Sequence, residues 1–218
     1  MATVKEAPPA PAETPAPRPR GWVRALRLFG IACLMVATGV LGYAGWLLWG
    51  TGLETQRAQN ALHGQFDDTI GTKPVSTVEE EVRLPGQAYA EIRIPAIDVD
   101  FIVVEGTDYA SLKKGPGHYP DTADPWDKTG RVGIAGHRTT YLHPFYNLDR
   151  LTTGDDIVLR TEAGTFTYDV TQVFVIPSSG SGRVLSQTRG ATLVLTTCNP
   201  KYSSSQRLIV TADLVEGA

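Results

Sequence analysis

From Leu28 to Leu53 the chain runs 26 residues without a charged side chain, LFGIACLMVATGVLGYAGWLLWGTGL. A helix of about 20 apolar residues crosses the hydrocarbon core of a bilayer, so this run dictates the architecture around it. Tyr43, Trp46 and Trp49 gather near its C-terminal end, where amphipathic rings settle at the membrane interface. Arg18, Arg20, Arg24 and Arg27 crowd the other end, and such charge is retained on the cytoplasmic side. A cleaved signal peptide would share the basic flank. The length of the run, its scattered glycines and the lack of a clear A-x-A site weigh against that. The expectation is a transmembrane signal-anchor helix over 28–50. It makes the protein a single-pass protein of the cell membrane, with a cytoplasmic N-terminus and an extracellular body.

The span divides the chain. Residues 1–27, rich in Pro and Ala and without apolar periodicity, read as a disordered cytoplasmic tail; a polyproline ligand for a partner module is the other reading. Residues 51–87 read as an extracellular stalk or linker, in which ETQRAQNALHGQF continues as a short helix before an irregular stretch. Residues 88–218 form the body, long enough for one core. The formal net charge is −3; residues 1–50 carry +3, leaving −6 for the remainder. An acidic body without a basic stripe excludes nucleic acid as a partner, since phosphate binding needs clustered Lys and Arg.

The body is written in strand-like runs: AEIRIPAIDVDFIVVEG broken at Pro95-Ala96, then GRVGIAGH, DIVLRTEAGTFTYDVTQVFVIP, ATLVLTTC and QRLIVTADLV. Their Val, Ile, Thr and Tyr content and their Gly, Pro and Asp punctuation indicate an all-β barrel or sandwich. DYASLKKG and YLHPFYNLDRL read as short helical excursions, and GPGHYP as a turn without the context of a phosphate loop.

The two cysteines, Cys33 in the span and Cys198 in the body, cannot reach each other. A lone thiol outside the cell is either buried and inert or put to use. Cys198 ends a strand, NPKYSSSQ follows as a loop, and Arg207 opens the next strand. A reversal there returns a guanidinium beside the thiol, where it favours thiolate and an oxyanion formed at the sulfur. A nucleophilic Cys also needs a proton carrier. Of His63, His118, His137 and His143, the strand-end His137 in GRVGIAGH is best placed, while His63 reads as solvated in the stalk and His143 sits in a polar turn. His118, in GPGHYP, either lines a site or caps one. Spacing alone leaves both the inert thiol and the His–Cys–Arg site open.

At these residues the sequence resembles the sortases, membrane-anchored cysteine transpeptidases of Gram-positive bacteria. Val194-Leu195-Thr196-Thr197-Cys198 is similar to their T-L-x-T-C strand end, with Val194 in place of Thr, and Arg207 and Gly136-His137 match the remaining motifs. AGHRTTYLHPFYNLDRL and GPGHYP further resemble class E, the actinobacterial housekeeping type. The resemblance implies an eight-stranded β-barrel with short helices, with Cys198, His137 and Arg207 as catalytic residues. It implies secreted proteins bearing C-terminal LAxTG- or LPxTG-like sorting signals as substrates, cleaved between Thr and Gly through a Cys198 thioacyl intermediate. The acceptor is an amine of a peptidoglycan precursor or of a pilin. Thr197, Tyr119 and Tyr141 are the implied substrate-binding residues, although either ring also fits core packing. No cofactor is expected, and no metal, since the acidic residues lack EF-hand spacing. The S-H-G-C run of L,D-transpeptidases and the C-G-S-C-W of papain-like peptidases are absent, His137 and Cys198 being 61 positions apart. An inactive anchored binding module with a buried Cys198 is the alternative from outside enzymology.

Overall fold

The computed structural model describes residues 21–46, 50–67 and 83–217. The tail through residue 20, the interfacial Trp49 and the irregular stretch 68–82 lie outside the described residues.

Helix α1 (Gly21–Gly45) buries none of its 25 residues, and Leu34, Met35 and Leu41 among them are exposed. At about 1.5 Å per residue it is about 37 Å long, which exceeds a hydrocarbon core of about 30 Å. Among the described residues it is the one helix long and apolar enough to cross a membrane, with a mean hydropathy of 1.9 over its best window. Within the described residues it takes in Arg24 and Arg27.

A second compact unit covers Gly45–Ala218. Its strands are β1 (Ala88–Ile94), β2 (Val99–Glu105), β3 (Gly117–His118), β4 (Gly130–Ala135), β5 (Asp156–Thr161), β6 (Gly164–Pro177), β7 (Ala191–Asn199) and β8 (Gln206–Gly217). They close into an eight-stranded barrel in the order β1-β2-β3-β4-β7-β8-β6-β5, so every expected strand run is present. Pro95 starts a 3-10 turn between β1 and β2, closed by Asp98 in the left-handed region at φ 55°. Alternation fills the interior: Ile157 and Leu159 of β5, Phe166, Tyr168 and Val170 of β6, and Leu193 and Leu195 of β7 all join one core. Each such side chain contributes about 1.5–3 kcal/mol by leaving water. Helix α3 (Tyr109–Leu112) is capped by Asp108, whose carboxylate accepts the Ala110 and Ser111 N–H groups.

Two expectations need correction. GPGHYP is not merely a turn: Gly117 and His118 form β3, which runs parallel to β2 and antiparallel to β4 and thereby closes the sheet. The start of the stalk expected over 51–87 belongs to the barrel, because helix α2 (Thr51–Phe66) packs on it through Leu62 and Phe66 against Ile102 and Val104. β3 covers β2 only at Val104 and Glu105, which leaves the edge groups of Ile102 unpaired. The Gln59 amide fills that gap. Its Oε1 accepts the Ile102 N–H at 2.7 Å, and its Nε2 donates to the carbonyls of Ile102 at 2.9 Å and Lys114 at 2.8 Å. The expected boundary at residue 88 was drawn from strand patterning, and a polar residue doing a strand's work leaves no apolar signal.

Candidate active site

The pairing of three strands assembles the site. In the antiparallel β7–β8 ladder Cys198 is the direct partner of Arg207, so the two Cβ atoms lie about 4.5–5.5 Å apart. On the other side β7 runs parallel to β4 with Ala135 opposite Thr196. His137 lies two residues beyond Ala135, just past the end of β4. Side chains repeat every second residue along a strand, so Cys198 shares a face of β7 with Thr196, and both line one cleft with His137 and Arg207. Two bonds lock the strand ends together beyond the ladder: Gly136 N–H donates to the Thr196 carbonyl at 3.1 Å, and Thr197 Oγ1–H donates to the Gly136 carbonyl at 2.7 Å.

A cleft of about 350 Å³ opens at this point, and its lining includes Thr107, Leu112, Tyr119, His137, Thr196, Thr197, Cys198 and Arg207. Cys198 is a free thiol, partly accessible. His137 Nε2 is buried and has no hydrogen-bond partner. Burial holds the His137 pKa below the ordinary imidazole value, because a desolvated imidazolium is costly. Arg207 Nη1 donates to the carbonyls of Ser204 and Gln206, both at 2.9 Å, which ties its head group to the loop after Cys198.

The other residues singled out from the sequence separate. Tyr119 lines the cleft and shares a 3.0 Å bond between its hydroxyl and Thr196 Oγ1. Thr197 is in the cleft wall, but its hydroxyl is committed to Gly136, so what it does there is hold β4 to β7. Tyr141 is not part of the lining; its ring packs 4.8 Å from that of His137 while its hydroxyl meets Tyr109 Oη at 2.8 Å. Burial, with Tyr109 adding to it, pushes the Tyr141 phenol up to about 12. Tyr141, Leu142 and His143 all have positive φ (53°, 59° and 41°), an uncommon run for residues with side chains, which turns the Tyr141 ring back onto His137. His118 faces away from the cleft: it is buried, stacked on Tyr89 at 4.1 Å, with Nδ1 3.1 Å from Glu105 Oε2 and Nε2 3.1 Å from Thr122 Oγ1. His63, expected to be solvated, is half-buried on α2. Val194 is fully buried on β7, on the strand face it shares with Cys198.

Gly136 is required for packing. A Cβ there would sit 2.5–2.9 Å from the Phe145 ring, and Phe145 is fully enclosed. Sequence reasoning missed Arg138, which is 4% exposed and donates into the end of β7. The available signal was its place directly after His137, but nothing in GHRTT announces that the guanidinium turns inward. Among the described residues no group of three or more His, Cys, Asp or Glu is arranged to hold a metal ion.

A sortase domain model matches residues 92–215. Sortase SrtE1 of Streptomyces coelicolor is 32% identical over 201 residues; the alignment covers 84% of this chain, and the chain spans only 56% of that relative's length. Sortase D of Bacillus subtilis is 30% identical over 182 residues, 78% of this chain and 88% of its own. In three dimensions the chain is similar to the Sortase D5 transpeptidase of Clostridium perfringens, with a TM-score of 0.64, 29% identity, and coverage of 73% of this chain and 99% of that one.

Proposed function

We propose, from the premise that this chain belongs to the sortase family of cysteine transpeptidases, that it cleaves a C-terminal LAxTG- or LPxTG-like sorting signal between Thr and Gly and passes the protein to an amine. The observation that supports this is the gathering of Cys198, its ladder partner Arg207 and His137, just past the end of β4, in the lining of one cleft. Similarity to SrtE1 favours class E.

Cys198 Sγ adds to the Thr carbonyl carbon as its proton passes to His137 Nε2, whose depressed pKa keeps the imidazole neutral and able to receive it. Arg207 turns donors from the Ser204 and Gln206 carbonyls toward the oxyanion and the substrate backbone. The C–N bond then breaks, and His137 returns the proton to the glycine amine that leaves, giving the thioacyl enzyme. An incoming amine adds to the same carbon and loses a proton to His137. The C–S bond breaks, the new amide departs, and the proton returns to the thiol. The substrates are secreted proteins, and the acceptor is a peptidoglycan precursor or a pilin lysine. The apolar run within helix α1 anchors the enzyme in the cell membrane, with the tail over 1–27 in the cytoplasm and the barrel outside.

The test is a panel of LAxTG, LPxTG and scrambled peptides presented with a free amine to the full chain in detergent micelles. Thr–Gly cleavage, a Cys198 thioacyl adduct by mass and an amine-linked product are expected. Retained turnover in Cys198→Ala or His137→Ala would refute the assignment.

A further inference from the structure

Strand β7 outruns its neighbour. Gly136 N–H satisfies the Thr196 carbonyl, and two residues on the Cys198 carbonyl points the same way. No backbone donor arrives there, because the chain after Gly136 leaves the ladder: the His137 carbonyl accepts from Phe145 N–H at 3.1 Å. The Arg138 guanidinium stands in for the missing strand. Its Nη1 donates to the Cys198 carbonyl at 3.2 Å and to Asn199 Oδ1 at 2.6 Å, and its Nη2 lies 3.1 Å from Asp149 Oδ2. The guanidinium is 4% exposed, and its two terminal nitrogens are the ones used, Nε being buried without a partner.

We propose that Arg138 is a positioning residue for the nucleophile, fixing the Cys198 backbone relative to His137, the residue immediately before it in the chain. The inference rests on the reading of Cys198 as the nucleophile. One side chain thus ties the attacking sulfur and the proton carrier to a common frame, with Asp149 anchoring that frame to the turn at Leu148–Arg150. Lysine cannot replace it, since one ammonium cannot span three acceptors on two segments. Asn199 forms the second contact, and its Nδ2 also donates to Gln206 Oε1 at 2.9 Å, next to Arg207.

Arg138→Met, Arg138→Lys and Asn199→Ala are compared in the full chain. The readouts are kcat and KM on an internally quenched LAETG peptide with triglycine, and the rate of iodoacetamide modification of the Cys198 peptide by mass spectrometry. Fold is followed by circular dichroism. Loosening the nucleophile by about 1 Å costs on the order of 100-fold. Arg138→Met should therefore lose about 10- to 100-fold in kcat with KM within about threefold, and Cys198 alkylation should shift by at least about threefold. Arg138→Lys should recover only part of the loss, and Asn199→Ala should lose about 3- to 10-fold. Folded variants within about twofold of the parent, or a loss carried wholly by KM, would overturn the role. Asn199→Ala decides the matter if Arg138→Met does not fold, because it removes no charge. Turnover surviving in Cys198→Ala sinks the nucleophile assignment itself, whereas Cys198-dependent turnover indifferent to Arg138 and Asn199 sinks only the positioning role. If LAETG is not a substrate, unchanged alkylation in the variants overturns it.

Discussion

Replacing Gln59 with Ala should undo the docking of α2. Three hydrogen bonds disappear, each contributing about 1 kcal/mol net. The Ile102 N–H and C=O are then left buried, at about 1–3 kcal/mol apiece unless water reaches them. Water reaches them only if α2 lifts off, which re-exposes Leu62 and Phe66 at about 1.5–3 kcal/mol each. The cheaper of the two routes sets the loss, so about 2–6 kcal/mol is expected, or roughly 4–24 °C in melting temperature for a unit of this size. Urea unfolding of the full chain measures the total, and trypsin at the exposed Arg57 reports on the helix alone, since a frayed α2 is cut sooner. Gln56→Ala is the control: it lies on the exposed side of the same helix, bonds only Asn60 and should change stability by less than about 0.5 kcal/mol. If Gln59→Ala matched that control in both assays, the view of α2 as part of the catalytic unit would be wrong.

Other consequences follow from the site. Gly136→Ala must displace the Phe145 ring or the β4 end, at about 1–3 kcal/mol, and should lower kcat on the sorting peptide more than it raises KM, since His137 is the next residue. Arg207→Lys should be folded but reduced at least about tenfold in kcat/KM, because a single ammonium lacks the planar fork; near-full activity would remove Arg207 from the site. The depressed His137 pKa makes the unfolded chain take up the proton first on acidification, so its contribution to stability is complete above about pH 6.5 and is lost as pH falls toward the folded-state value. Urea midpoints at pH 7.5 and 5 should therefore converge in His137→Gln relative to the parent, and an unaltered difference would exclude His137 as its source.

Much of this molecule was legible as a string. The charge-free run from Leu28 to Leu53 specified a membrane-length helix, because a continuous apolar surface has one thermodynamic answer. The β-branched runs and their Gly, Pro and Asp breaks specified the strands, because alternation and turn chemistry are local. The strand–loop–strand around Cys198 even supplied the pairing with Arg207, since a short hairpin fixes its own register. The parallel alignment of β4 with β7 was out of reach. It pairs segments about sixty residues apart in sequence, and it brings the end of β4, with His137 just beyond it, beside the strand that carries the thiol. The inward turns of Gln59 and Arg138 were equally hidden. Both are polar residues whose sequence neighbours predict exposure, and both are buried because a neighbouring strand stops short and leaves backbone groups that only a side chain can satisfy. Local chemistry determined which elements exist and which residues carry reactivity. The tertiary structure decided their juxtaposition, because unpaired backbone at a strand's end is a property of the assembled sheet and of no single segment.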